Sequence, residues 1–172
     1  MPQSDSQPIW KPPPWSKLKV NFDGAVFREN QHAGVGVIVR YEEGSVVTPM
    51  AESFHLPLSV VVVEVIATKK ALQFAKDLGL SSIILEGDSK TTIDKLKRKK
   101  SSLTEYGHLL DEAKEVANQM ELVKFQYVQR QANKSAHNIA RHARHVSEFS
   151  MWMEDDPPHL VFVIQANSAN HQ

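Results

Sequence analysis

A chain of 172 residues, 41% apolar and 23% charged, is long enough for one domain with a real core plus tails, and its composition is that of a soluble globular protein. Its 20 Lys and Arg balance 20 Asp and Glu, which excludes an indiscriminate polycationic coat for DNA but not a local basic groove. Cysteine is absent, so disulfides, thiolate zinc sites and a cysteine nucleophile are excluded.

No apolar stretch approaches the length of a membrane span, and the N-terminus lacks a charged patch followed by an apolar run. An intracellular, soluble protein with no membrane partner is expected, with nucleus or cytoplasm left open. Residues 1–16 are polar and carry Pro12-Pro13-Pro14 between Trp10 and Trp15, which predicts an extended linker. From Leu18 to Phe27 the chain alternates and is β-prone. Gly34 to Arg40 predicts a second strand, and Val46 to Phe54 a third after the turn Glu42-Glu43-Gly44-Ser45. Three strands joined by short turns predict an antiparallel meander.

The period then changes. Glu64 to Leu78 predicts a helix that buries Val65, Ala71, Leu72 and Ala75 and stops at Gly79, although the β-branched run Val60 to Val63 blurs its start. Ser82 to Glu86 reads as a strand buried on both faces. Ser89 is a candidate cap for a helix running to Lys99. Leu103 to Met120 predicts a further helix, Leu122 to Val128 a strand, and Asn133 to Val146 a closing helix capped by Asn133. The order βββαβααβα predicts an α/β fold: a five-stranded mixed sheet, three strands antiparallel and two parallel, with helices on both faces. The tail, 148–172, holds Trp152 and the apolar segment Leu160 to Ile164, expected to pack on the domain of residues 17–147.

Three acids stand where such a sheet brings side chains together. Asp23 closes the run Lys19 to Ala25, Asp88 ends Ile83 to Asp88, and Glu64 lies just ahead of the helical stretch Ile66 to Ala75. Carboxylates gathered at the ends of neighbouring strands repel each other unless cations lie between them, and oxygen-only ligands favour Mg2+ or Mn2+. Each acid has a plainer reading: Asp23 before Gly24 as a turn former, Asp88-Ser89 as a helix cap, Glu64 as a first-turn acid.

Taken together, Asn21-Phe22-Asp23-Gly24-Ala25, Ala33 to Arg40, Glu64 opening a helix, and Glu86-Gly87-Asp88-Ser89-Lys90 resemble the ribonuclease H fold. They are most similar to the plant ribonuclease H-like, reverse-transcriptase-like domains of retroelements. The stretch Val128 to Ala143, with Arg130, Asn133, Ala136, His137 and Ala140, resembles that group's ending R-x-x-N-x-x-A-D/H-x-L-A-x-x-A. The resemblance spans Leu18 to about Val146.

It implies endonucleolytic cleavage of the RNA strand of RNA–DNA hybrids, with two Mg2+ or Mn2+ ions held by four acids. Three of the four fall on Asp23, Glu64 and Asp88; the fourth falls on His137, where many members have Asp. An imidazole brings no negative charge, so weaker magnesium binding and a shifted pH profile are expected. His137 also reads as part of a basic helix face with Arg141 and His145, and His142 and His145 read as solvent-facing. Asn30, Gln31, the backbone near Gly34, and Lys90 are candidate contacts to the hybrid, and Lys95, Lys97, Arg98, Lys99 and Lys100 candidate phosphate contacts or a solvated helix end. Two rival readings stay open: a catalytically weak or inactive nucleic-acid-binding module on the same fold, and a protein-interaction domain using the tryptophan-bearing ends. A monomer is expected.

Overall fold

The computed structural model describes residues 17–99, 106–146 and 149–151. The Pro-rich lead, Lys100, Trp10, Trp15, Trp152 and the segment Leu160 to Ile164 lie outside the described residues. Strands β1 (Leu18–Phe27), β2 (His32–Tyr41) and β3 (Val46–His55) form the antiparallel meander. Helix α1 (Val60–Asp77) follows, then β4 (Ser82–Gly87), α2 (Lys90–Lys97), α3 (Gly107–Asn118), β5 (Leu122–Tyr127), α4 (Lys134–His142) and β6 (Phe149–Met151). The sheet order is β5-β4-β1-β2-β3-β6, with β4 parallel to both β1 and β5.

Among the described residues the expected five strands are six. Phe149-Ser150-Met151 pairs antiparallel with Glu52-Ala51-Met50 and covers the outer edge of β3. Three residues carry too short an alternation to be read from sequence, but an open edge leaves a row of unpaired peptide groups that such a segment satisfies. The sheet therefore extends to Met151, past the boundary expected at residue 147. α1 begins at Val60 rather than Glu64. Ser59 accepts a hydrogen bond from Val61 N at 3.3 Å, so a good N-cap outweighs the low helix propensity of four consecutive valines. The helix ends where predicted, at Leu78 followed by Gly79 with φ +79°, a conformation that costs glycine nothing. Ser89 caps α2 through Thr92 N at 3.4 Å. The closing helix is split: a 3-10 turn over Arg130–Asn133 precedes α4, and another over Ala143–His145 follows it.

Alternation along β1 divides the interior. Leu18, Val20 and Phe22 face the large core with Val35, Val37, Val39, Leu72, Ile83, Leu85, Ile93 and Leu110. Ala25 and Phe27 belong to a smaller core with Ala51, Ala140, Ala143 and Val146, under α4. That second layer is thin where alanines meet the glycines of β2, and there α4 comes down onto the sheet.

Candidate active site

Asp23 sits in the body of β1, opposite Gly36 of β2, rather than at a strand end. The parallel pairing of β1 with β4 stops at Asn21↔Glu86, so beyond that point β1 runs on without β4 beside it. Asp88 follows β4 directly. A crevice beyond the carboxyl end of a parallel strand is where open α/β sheets place ligands.

Two close approaches bring helices to this crevice. A Cβ on Gly24 would lie 3.0 Å from Val63 Cγ1 and 3.2 Å from Glu64 Oε1, so the glycine lets α1 set Glu64 beside Asp23. Glu64 thus acts from the second turn of α1, not from its start. On β2, a Cβ on Gly36 would lie 2.2 Å from Ala140 N and 2.4 Å from Ala136 O. Only a glycine allows helix backbone to rest there. Gly34 plays the same part, its missing Cβ 2.6 Å from Ala143 Cβ. It is buried under α4, so it is a packing position and not the hybrid contact expected from sequence.

Asn133 is the second correction. It occupies the N-cap position of α4, but its side chain makes no capping bond. It is fully buried; its Nδ2 donates to Phe22 O at 2.8 Å, and its Oδ1 accepts from Asn21 Nδ2 at 3.1 Å. This staple fixes the start of α4 to β1 one residue from Asp23. One helical turn on, His137 lies on the same face as Asn133. Its Nδ1 meets Asp23 Oδ2 at 2.8 Å. His137 therefore faces the acids and not the exposed basic surface of Arg141 and His145.

Asp23 is buried, its Oδ1 accepting from Gly24 N at 2.9 Å. Burial raises its pKa; the His137 hydrogen bond works against that, and the charge of Asp88 adds to it. Glu64 is pushed up to about 8, mainly by burial and then by the charges of Asp23 and Asp88, with a hydrogen bond to Asp23 raising it further and the Gly24 amide pulling it down. Near neutral pH the cluster thus holds a proton. The side chain of Asp88 is 8% exposed, and its Oδ2 is buried without a hydrogen-bond partner. Arg130 Nε stands 3.9 Å from that oxygen, on a side chain 82% exposed. Arg130 belongs to the motif stretch but was assigned no role from sequence; only the turn after β5 reveals that it overlooks Asp88. Among the described residues no three His, Asp or Glu side chains are already arranged to hold an ion.

The surface residues divide. Asn30 and Gln31 are exposed in the turn after β1, where Gln31 takes a left-handed φ of 56° and its carbonyl accepts from Leu56 N. Lys90 is exposed on the first turn of α2, and Lys97, Arg98 and Lys99 are exposed at its end. Lys95 is held back: its ammonium hydrogen-bonds the Tyr106 hydroxyl and lies 4.4 Å from that ring's centre.

Residues 21–143, which include all four site residues, match the protein family described as reverse transcriptase-like. The chain belongs to the reverse transcriptase-like family. Its fold is the ribonuclease H-like fold. A ribonuclease H1 from the halophilic archaeon Halobacterium salinarum superposes with a TM-score of 0.67 at 23% identity, covering 75% of this chain and 98% of its own. The N-terminal ribonuclease H domain of a Mycobacterium tuberculosis protein gives 0.65 at 22%, covering 76% and 94%. A compost-derived ribonuclease H1 solved with an RNA/DNA hybrid gives 0.64 at 17%, covering 74% and 96%. At these identities the likeness to solved structures is a likeness of fold. No curated protein matches the sequence. This reverse transcriptase-like chain has, among its described residues, no helix long and apolar enough to cross a membrane.

Proposed function

We propose that this chain is a retroelement-derived endoribonuclease that hydrolyses the RNA strand of RNA–DNA hybrids at Asp23, Glu64, Asp88 and His137, with two Mg2+ or Mn2+ ions. The observation that carries the reading is Asp88 Oδ2, a buried carboxylate oxygen without a hydrogen bond, beside two carboxyls that are themselves held above their ordinary pKa. Buried polar atoms are as a rule partnered; among the described residues Arg40 Nε and Ser150 Oγ share this state, but neither is a carboxylate in the cluster. A carboxylate cluster that costs stability when empty and offers hard oxygen donors suits divalent cations.

Asp23, Glu64 and Asp88 are the residues that would hold the ions, giving up the proton that Glu64 retains. When bound, such a pair lowers the pKa of an attacking water and stabilises the leaving 3′ oxygen at phosphorus. Arg130, exposed beside Asp88, offers a guanidinium to a phosphate. Asn30, Gln31 and Lys90 would meet the hybrid, and Lys97, Arg98 and Lys99 would hold the DNA phosphates. Cleavage of a labelled hybrid, assayed with Mg2+ and then with Mn2+, tests the activity. Asp23→Asn is expected to reduce the rate about a thousandfold or more. Uncut hybrid with either ion would defeat the enzymatic reading.

The hydrogen bond from His137 to Asp23 favours a second reading, a nucleic-acid-binding module that does not cut. It ties the central carboxylate to a neutral or positive ring instead of leaving it free for a cation. Binding of the hybrid without cleavage, unchanged by Asp23→Asn, is its expected signature.

A further inference from the structure

We propose that the outer face of α4 and the 3-10 turn after it form a phosphate track, a second nucleic-acid contact outside the acid crevice, with Arg141 and Arg144 as its anchors. The proposal rests on the nucleic-acid reading above and concerns where a strand runs once it leaves the acids.

Charge isolates the feature. Between Leu122 and Ser147 the chain carries five Lys or Arg and three His but no Asp or Glu, although the whole chain has 20 Lys and Arg against 20 Asp and Glu. A basic segment in a neutral chain is a local field, and such a field draws polyanions. The fold turns that charge outward. Ala136, Ala140 and Ala143 are buried against the sheet, while Arg141, His142, Arg144 and His145 are exposed. Among the described residues neither Arg141 nor Arg144 pairs with a carboxylate. Cations in a last helical turn complement the helix dipole, which accounts for Arg141; Arg144 lies beyond α4, in the turn that follows.

Direction gives the surface its use. α4 lies along β1: Ala136 and Ala140 meet Gly36, opposite Asp23, and Ala143 meets Gly34, opposite Ala25. The helix therefore leads from the acids toward Phe27, where the Arg144 guanidinium stands 5.2 Å from the centre of the ring. Arg141 follows His137 by one turn and Arg144 by about two, so the row extends roughly 10 Å from the crevice. At a rise of about 3.4 Å per nucleotide, that covers about three phosphates of one strand. It ends at Phe27, the residue before the exposed turn that holds Arg28, Asn30 and Gln31. A guanidinium grips a phosphate through two parallel N–H bonds, and the Phe27 ring steadies that of Arg144. An acidic protein would meet the same charge, but only a nucleic-acid strand has reason to run on from the acids, and the row begins there.

The test follows binding of a fluorescent RNA–DNA hybrid by anisotropy across a salt series, in chelator so that nothing is cut. In Arg141→Gln/Arg144→Gln the slope of log affinity against log salt is expected to fall by about two, and affinity by about tenfold. Arg141→Lys/Arg144→Lys keeps the charge and is expected to restore the slope but not the full affinity. Lys69→Gln/Lys76→Gln removes as much charge from α1, on the other face of the sheet, and is expected to leave the slope alone. A hybrid that is bound, and cut once Mg2+ or Mn2+ is added, with a slope unmoved in the double Gln variant overturns the track and leaves the nuclease reading standing. A slope that falls for a hybrid that is never cut supports the track while the nuclease reading falls. An equal loss in the α1 variant is a general effect of charge and overturns the proposal. Poly-L-glutamate held by the two arginines, with hybrid binding indifferent to them, assigns the face to an acidic protein and overturns it too. No binding of hybrid by the wild type removes both readings.

Discussion

Glu64 holds a proton near neutral pH because burial and the charges of Asp23 and Asp88 all oppose its ionisation, and this makes the stability of the metal-free protein pH-dependent. Its folded pKa, about 8, lies above its ordinary value of 4.5. Between those values the folded state binds more protons than the unfolded state, so stability falls as pH rises through that window and is lowest above it. The raised Asp23 acts in the same direction from a lower starting pH. Thermal melts in a chelator are expected to show Tm falling between about pH 5 and about pH 9. Glu64→Gln, which cannot ionise, should flatten that slope and raise Tm at the alkaline end by about 5 °C. An unaltered slope in the variant would remove Glu64 as its source. Asn133 makes a different claim at the same scale. Asn133→Ala strands the Phe22 carbonyl and the Asn21 amide in the interior, an expected cost of about 2–3 kcal/mol by urea unfolding.

Among the elements, α4 shows how backbone contact does the work that side chains do elsewhere. Its Ala136 and Ala140, with Ala143 of the turn that follows, lie against Gly34 and Gly36 of β2, so the helix rests almost on the sheet. Gly36→Ala would drive a methyl into peptide atoms of α4 at 2.2 Å. A loss of about 3 kcal/mol or more is expected, together with displacement of His137 from Asp23. A chemical-shift map would show the latter as changes reaching Asp23 and Gly24. The end of α2 behaves oppositely, with Lys97, Arg98 and Lys99 exposed at the surface. If these hold phosphates, each Lys→Gln should lower the salt slope of hybrid binding by about one and weaken affinity without regard to sequence. Lys95→Gln should act mainly on stability, since its ammonium is engaged by Tyr106.

At the scale of the whole molecule, the sheet brings α1 and α4 to the end of β4, and the acids gather where β1 runs on beyond its pairing with β4. Binding there acts on the native state alone. A divalent ion at about a hundred times its Kd should therefore add about 2.7 kcal/mol to the unfolding free energy, reversed by chelation. Because the ion displaces the proton on Glu64, the gain should be larger at about pH 8.5 than at about pH 6. A Tm insensitive to Mg2+ and Mn2+ at both pH values would count against any cation in the cluster.

Period and punctuation were enough to find the strands and helices, because apolar alternation and the stop at Gly79 are local matters. Of the three acids only Asp88 stands at an element boundary that local pattern marks; Asp23 lies in the body of β1 and Glu64 in the second turn of α1. Several features were decided only in three dimensions. One valine-rich run became the start of α1 because Ser59 caps it, and a three-residue segment became β6 because the edge of β3 lay open. Asn133 became a buried staple instead of a cap because Phe22 O stood within reach. His137 belonged equally to a basic face or to the acids when read along the chain. The missing side chains of Gly34 and Gly36 settled the matter, since they let α4 sink onto β2, and absent atoms leave no mark in a hydrophobic pattern.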